Sequence, residues 1–137
     1  MRSSAILTLL LLALPLPAAA QRLGIAFVQA PEQSYGVATG ATATEAFDAA
    51  VAQCVEGGAL AEDCLQTNWC FPAGWSIDVF AQHQEGLHWH ETLCGLPSKE
   101  TATEVAETLC NRSARPYLIE CSLVQIYDPE GVRQMEY

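Results

Sequence analysis

One short pattern occurs twice in this chain, and it limits the folds open to it. Thr42-Ala43-Thr44-Glu45 opens an Ala-rich run ending at Cys54, and Cys64 follows. Thr101-Ala102-Thr103-Glu104 opens a second run ending at Cys110, and Cys121 follows. The two run-ending cysteines lie 56 residues apart and the two followers 57. A near-constant offset is the mark of an internal duplication. In the first copy Thr42 reads as a helix N-cap, with Glu45 completing a capping box. Phe47, Ala50, Val51, Cys54 and Val55 then share one helical face, and Gly57-Gly58 ends the helix. In the second copy Thr101 is expected to cap a helix about one turn shorter, burying Ala102, Val105, Ala106 and Leu109.

Strands fall around these helices in the same order in each half. The apolar runs Leu23–Val28 and Tyr35–Thr39 form a hairpin across Pro31–Ser34, and Leu65–Phe71 supplies a strand after the helix. In the second half the strands are Trp75–Ala81, Leu87–Leu93 and Tyr117–Ile126, with a turn at Gln84-Glu85-Gly86. The expected fold is therefore α+β: two pseudo-symmetric ββαβ repeats, about 23–74 and 75–128, forming one domain (21–128) with antiparallel sheet. Residues 129–137 are expected as a loose C-terminal tail.

Residues 1–20 read as a signal peptide. Arg2 precedes the apolar run Ala5–Leu14, and Ala18-Ala19-Ala20 offers a cleavage site before Gln21. The run is too short to span a bilayer, so no membrane anchor is expected and the protein should be periplasmic or secreted. Six cysteines suit that oxidising compartment. They allow fifteen pairings, but a shared design in both halves gives Cys54–Cys64 and Cys110–Cys121, leaving Cys70 and Cys94 to join the halves. Metal binding by cysteine would need closer spacing such as C-x-x-C, which the chain lacks. Without Arg2, five basic residues face sixteen acidic ones, a formal charge of −11. Such a surface disfavours nucleic acid and anionic membranes and suits either simple solubility or a basic protein partner.

The strand Gly24-Ile25-Ala26-Phe27, the pair Tyr35-Gly36, the Ala-rich helix Ala43–Cys54 and the strand-opening Cys64 together resemble domain of unknown function 4189, a family of small secreted bacterial proteins. The likeness covers most of Leu23–Asp128. It implies paired ββαβ units with pseudo-twofold symmetry and brings no catalytic residues with it. Two features depart from the family pattern. The strand after Cys64 lacks a Val-rich stretch with a Trp-Phe ending, and the second half carries a histidine cluster.

That cluster is His83, His88 and His90, all the histidines of the chain. His88 and His90 share a strand face, and His83 lies on the other arm of the hairpin. The plain reading is an exposed polar strand face. The specific one is a zinc or copper(II) site, with Glu85 or Glu91 as a further ligand. His90-Glu91-Thr92-Leu93-Cys94 is not the zinc-protease motif, since cysteine replaces the second histidine and the segment reads as strand. No phosphate loop, G-x-S-x-G or redox C-x-x-C occurs. Trp69, Phe71, Trp75 and Trp89 stand near turns; packing is their first reading, and Trp75 and Trp89 are the candidates for a binding patch. The leading expectation is an exported non-enzymatic protein-binding domain of the inhibitor, immunity or effector kind. The alternative is a metal-binding module. Unpaired edge strands leave both a monomer and an edge-paired dimer open.

Overall fold

The computed structural model describes residues 22–136; the expected signal peptide falls outside them. The chain runs β1 (Gly24–Ala30), β2 (Ser34–Gly40), α1 (Ala43–Glu56), β3 (Leu65–Cys70), β4 (Trp75–His83), β5 (His88–Leu96), α2 (Lys99–Leu109) and β6 (Leu118–Tyr127). A single 3₁₀ turn, Ala61–Asp63, precedes β3. The strands form two antiparallel three-stranded sheets, β2-β1-β3 and β5-β4-β6. Each unit is thus ββαβ, with its first strand in the middle of its sheet.

The register repeats as closely as the topology. Ile25 faces Cys70 and Ala26 faces Trp69 in the first sheet, while Ser76 faces Tyr127 and Ile77 faces Ile126 in the second. Both central strands then break register at the next step, between Phe27 and Val28 and between Asp78 and Val79. Phe27 and Asp78 are therefore structural counterparts, as are Cys70 and Tyr127. The hairpin pairings Gln29↔Tyr35 and Phe80↔His90 make Tyr35 the counterpart of His90.

Strand alternation divides the residues between two faces. Ala26, Val28 and Ala30 pack with Ala46, Ala50 and Cys54 of α1. Ile77 and Val79 pack with Ala102 and Ala106 of α2. The opposite faces meet each other, with Ile25, Phe27, Ala73 and Tyr127 buried between the sheets. The layers run helix, sheet, sheet, helix.

Small residues on the helices have a steric reason. A Cβ at Gly36 would lie 1.8 Å from the Ala50 carbonyl oxygen, and one at Gly40 would lie 2.8 Å from the Ala46 nitrogen. Helix α1 rests directly on the β2 backbone. Val55, expected on the buried face, is largely exposed.

The caps correct the expected repeat. Thr42 forms the capping box with Glu45, but α2 is capped by Ser98, whose Oγ accepts from the Thr101 N–H at 3.1 Å. Ser98 precedes Cys110 by the same twelve residues that separate Thr42 from Cys54. The helices are in register from cap to cysteine, and the second Thr-Ala-Thr-Glu lies inside the first turns of α2.

The three disulfides are Cys54–Cys64, Cys70–Cys94 and Cys110–Cys121. Two fasten each helix end to its following strand, and the third ties β3 of one unit to β5 of the other. In the chain-entropy model, the shorter loops contribute roughly 2.7 kcal/mol each and the Cys70–Cys94 loop about 3.4.

The C-terminal segment differs from the loose tail expected. Buried Gln125 accepts at Oε1 from the N–H groups of Gln134 (3.1 Å) and Met135 (2.8 Å), and Tyr127 bridges to Arg133. Met135 packs on the second core, and Gly131 sits where a Cβ would come 2.6 Å from Thr39 Cγ2. The segment doubles back along β6 and reaches β2 of the first unit.

Replacing Gly36 by alanine should drive a methyl group into the α1 backbone and destabilise the fold by about 3 kcal/mol. Urea unfolding of the oxidised protein checks this: the variant's midpoint should fall well below that of the parent.

Candidate functional site

The hairpins β1–β2 and β4–β5 lie side by side, and a cleft of about 270 Å³ opens between them. Gln29, Glu32 and Tyr35 line it from the first unit, and Phe80, His88 and His90 from the second. Because Tyr35 and His90 are counterparts, the cleft lies on the pseudo-twofold relation between the units. Their rings stack across it, with centroids 5.4 Å apart and planes 24° apart. Gln29 clasps the His90 backbone, donating from Nε2 to its carbonyl at 3.3 Å and accepting its N–H at 3.4 Å.

Asp78 lies behind His90, outside the cleft lining. It is 1 % exposed, and an ionised carboxylate at that depth requires donors. His90 Nδ1 lies 2.7 Å from Asp78 Oδ1. With Nδ1 donating, the neutral ring keeps its lone pair on Nε2. His88, two residues along the same strand face, has Nδ1 3.5 Å from Glu32 Oε1. Glu32 occupies the turn closed by the Gln33 N–H on the Ala30 carbonyl, in a left-handed conformation at φ 61°. Both histidines therefore have a carboxylate against Nδ1, one buried and one exposed.

The expected three-histidine cluster is not assembled. Gln82, not His83, lies opposite His88, so the next residue on the pleat turns to the other face. His83 packs on Tyr117, with ring centroids 5.4 Å apart, and its Nδ1 accepts the Glu85 N–H at 3.1 Å. Glu91 is likewise occupied elsewhere. Among the described residues no group of three or more His, Cys, Asp or Glu side chains is placed to hold a metal ion. Ser34 also borders the cleft, but its Oγ faces Gly57 of the α1 cap, so no hydroxyl–histidine–carboxylate relay forms there.

The tryptophans divide differently from expectation. Trp75 packs half-buried on the second core. Trp89 borders the cleft and donates from Nε1 to Glu91 at 2.8 Å. On the first unit Phe47, Trp69 and Phe71 form a row with successive centroids 6.3 Å apart, in which Phe47 and Trp69 are half-buried against the first core and Phe71 alone is exposed. Trp69 lies over Gly24, where a Cβ would come 2.0 Å from its ring, and Phe71 is 53 % exposed. Leu60 and Leu65, also exposed, lie nearby in sequence with Glu62 and Asp63. Residues 23–74 carry Glu32, Glu45, Asp48, Glu56, Glu62 and Asp63 and no Lys or Arg. This asymmetry is legible from sequence once charge is counted by repeat rather than over the whole chain.

Arg115 makes a two-pronged ion pair with Glu91, from Nη1 to Oε2 at 2.9 Å and from Nη2 to Oε1. Burial pushes the Glu91 carboxyl up, but hydrogen bonds from Arg115 and Trp89, with the guanidinium charge, outweigh it and hold the group below its ordinary range. Donation to the Glu91 carboxylate in turn raises the Arg115 guanidinium.

No family model, curated protein or solved structure matches this chain.

Since folded Glu91 is the stronger acid, its stabilising contribution is complete above the unfolded glutamate pKa of about 4.3 and is lost as pH falls through the lower folded value. Glu91→Gln should therefore lower the urea midpoint at pH 7, and the gap to the parent should narrow on acidification to about pH 3. A gap that is constant with pH would contradict this assignment.

Proposed function

We propose that the chain is an exported, non-enzymatic protein-binding domain of the inhibitor, immunity or effector kind, and that its partner is a basic protein. The observation that supports this reading is the surface of the first unit, where Leu60, Leu65 and Phe71 are exposed on a repeat with six carboxylates and no cation. Apolar anchors near the centre of a contact supply affinity, while complementary charge steers the encounter and selects among partners. Strand β3 lies at the outside of its sheet, with Leu65, Gln66 and Thr67 exposed. Its main chain can accept an extended segment of the partner, a mode in which backbone bonds give affinity and side chains give selectivity.

Three disulfides fit the proposed export, and no helix among the described residues is long and apolar enough to cross a membrane. The resemblance to domain of unknown function 4189 is part of the same proposal and adds no chemistry to it.

Titration with matched Lys/Arg-rich and Glu-rich peptides tests the reading. The oxidised chain should bind only the basic set, at least tenfold more weakly at 300 mM than at 50 mM salt, as screening shortens the reach of exposed charge. The double reversal Glu62→Lys/Asp63→Lys should weaken binding about tenfold, as should Leu65→Ser/Phe71→Ala. Failure to distinguish the two peptide sets, or undiminished binding by both double variants, would overturn the proposal.

A further inference from the structure

We propose that His88 and His90 form a two-imidazole site for a copper(II) ion in the cleft between the hairpins, with their Nε2 atoms as donors. Three observations converge on it. First, the two side chains share one face of β5 at positions i and i+2, about 7 Å apart along the strand, a spacing that two imidazoles can close around one ion. Second, each Nδ1 already faces a carboxylate, Asp78 at 2.7 Å and Glu32 at 3.5 Å. A carboxylate on the distal ring nitrogen is the arrangement that fixes the tautomer and orientation of metal-binding histidines. Third, both rings line a cleft open enough to admit a hydrated ion and to leave its remaining positions to water.

The choice of metal follows from the donor set. Two neutral nitrogens with open equatorial positions suit the tetragonal preference of copper(II), which stands above zinc in affinity for nitrogen ligands. Zinc needs three or four protein donors for a firm site, and no such group exists among the described residues. His83 takes no part, because it lies against Tyr117. The negative charges of Glu32 and Asp78 further favour a divalent cation.

The site does not depend on the protein-binding reading: Glu62, Asp63, Leu65 and Phe71 do not line the cleft. Equilibrium dialysis of the oxidised chain against copper(II) alone, with electron paramagnetic resonance of the loaded protein, provides the test. One ion should bind per chain, with nitrogen hyperfine structure from two imidazoles. His88→Ala should weaken binding at least tenfold with near-ultraviolet circular dichroism unchanged, and Glu32→Gln should weaken it by up to about tenfold. His83→Ala should bind as the parent does. A linear peptide spanning His88-Trp89-His90, which lacks the orienting carboxylates, should bind at least tenfold more weakly than the protein. Parent-like affinity in His88→Ala, loss of copper in His83→Ala, or equal binding by the peptide would each overturn the proposal. His90→Ala is not the deciding variant, since it also strips Asp78 of its hydrogen bond.

Discussion

The structure depends on how a buried carboxylate is satisfied between two sheets. Asp78 projects from the central strand of the second sheet into the layer where the units meet, and at 1 % exposure it has almost no access to water. Left alone there, it would cost more than a domain of this size can spare. His90 supplies the hydrogen bond, and His90 is in turn fixed by the first unit, through stacking on Tyr35 and the clasp of Gln29. Thr92 then donates to Asn68 across the same layer, and Cys70–Cys94 closes the row covalently. Strand β5 is thus fastened to the first unit at successive inward-facing positions, and the two sheets are held as one body by polar and covalent links as well as apolar burial.

Duplication supplies the frame, while divergence at the meeting layer supplies its particular chemistry. Phe27 and Asp78 are counterparts, yet one packs edge-on against Tyr127, with centroids 5.9 Å apart, and the other binds histidine. Tyr35 and His90 are counterparts, as are Gln29 and Phe80. Cys70 is matched by Tyr127, so the inter-unit disulfide has no covalent twin. At the related end of the molecule the returning C-terminal segment places Gly131 against Thr39 instead. The helix faces did not diverge in this way. Ala46, Ala50 and Cys54 match Ala102, Ala106 and Cys110, because close approach of helix to sheet tolerates little else.

Those contrasts explain what could be read from the chain. Cys54–Cys64 and Cys110–Cys121 were legible because each closes a local loop whose length the duplication repeats, and Cys70–Cys94 followed as the remaining pair. Helix α1 was legible because its capping box is local. Helix α2 was misplaced for the same reason: a local tetrapeptide match outranked Ser98, whose equivalence shows only when counted back from Cys110. The histidine cluster was half legible. Spacing put His88 and His90 on one face, but the fate of His83 depends on hairpin register, and Asp78 and Glu32 join the site through contacts between strands and units. The returning tail escaped notice because its anchor, buried Gln125, reads as an ordinary polar residue in a strand.

The turns of the two hairpins differ in the residue that takes the left-handed conformation. Both hairpins need a residue with positive φ. The β4–β5 turn uses Gly86, at φ 98° and with open space around it. That is the choice expected where only chain reversal matters. The β1–β2 turn has Pro31 followed by Glu32 at φ 61°, a conformation that costs a residue with a side chain about 1–2 kcal/mol. Glycine would remove that cost and with it the carboxylate beside His88. Backbone strain retained by an otherwise regular hairpin is best explained by what the strained side chain faces. Here it faces an imidazole at the mouth of the cleft, opposite the buried pair that holds the two units together.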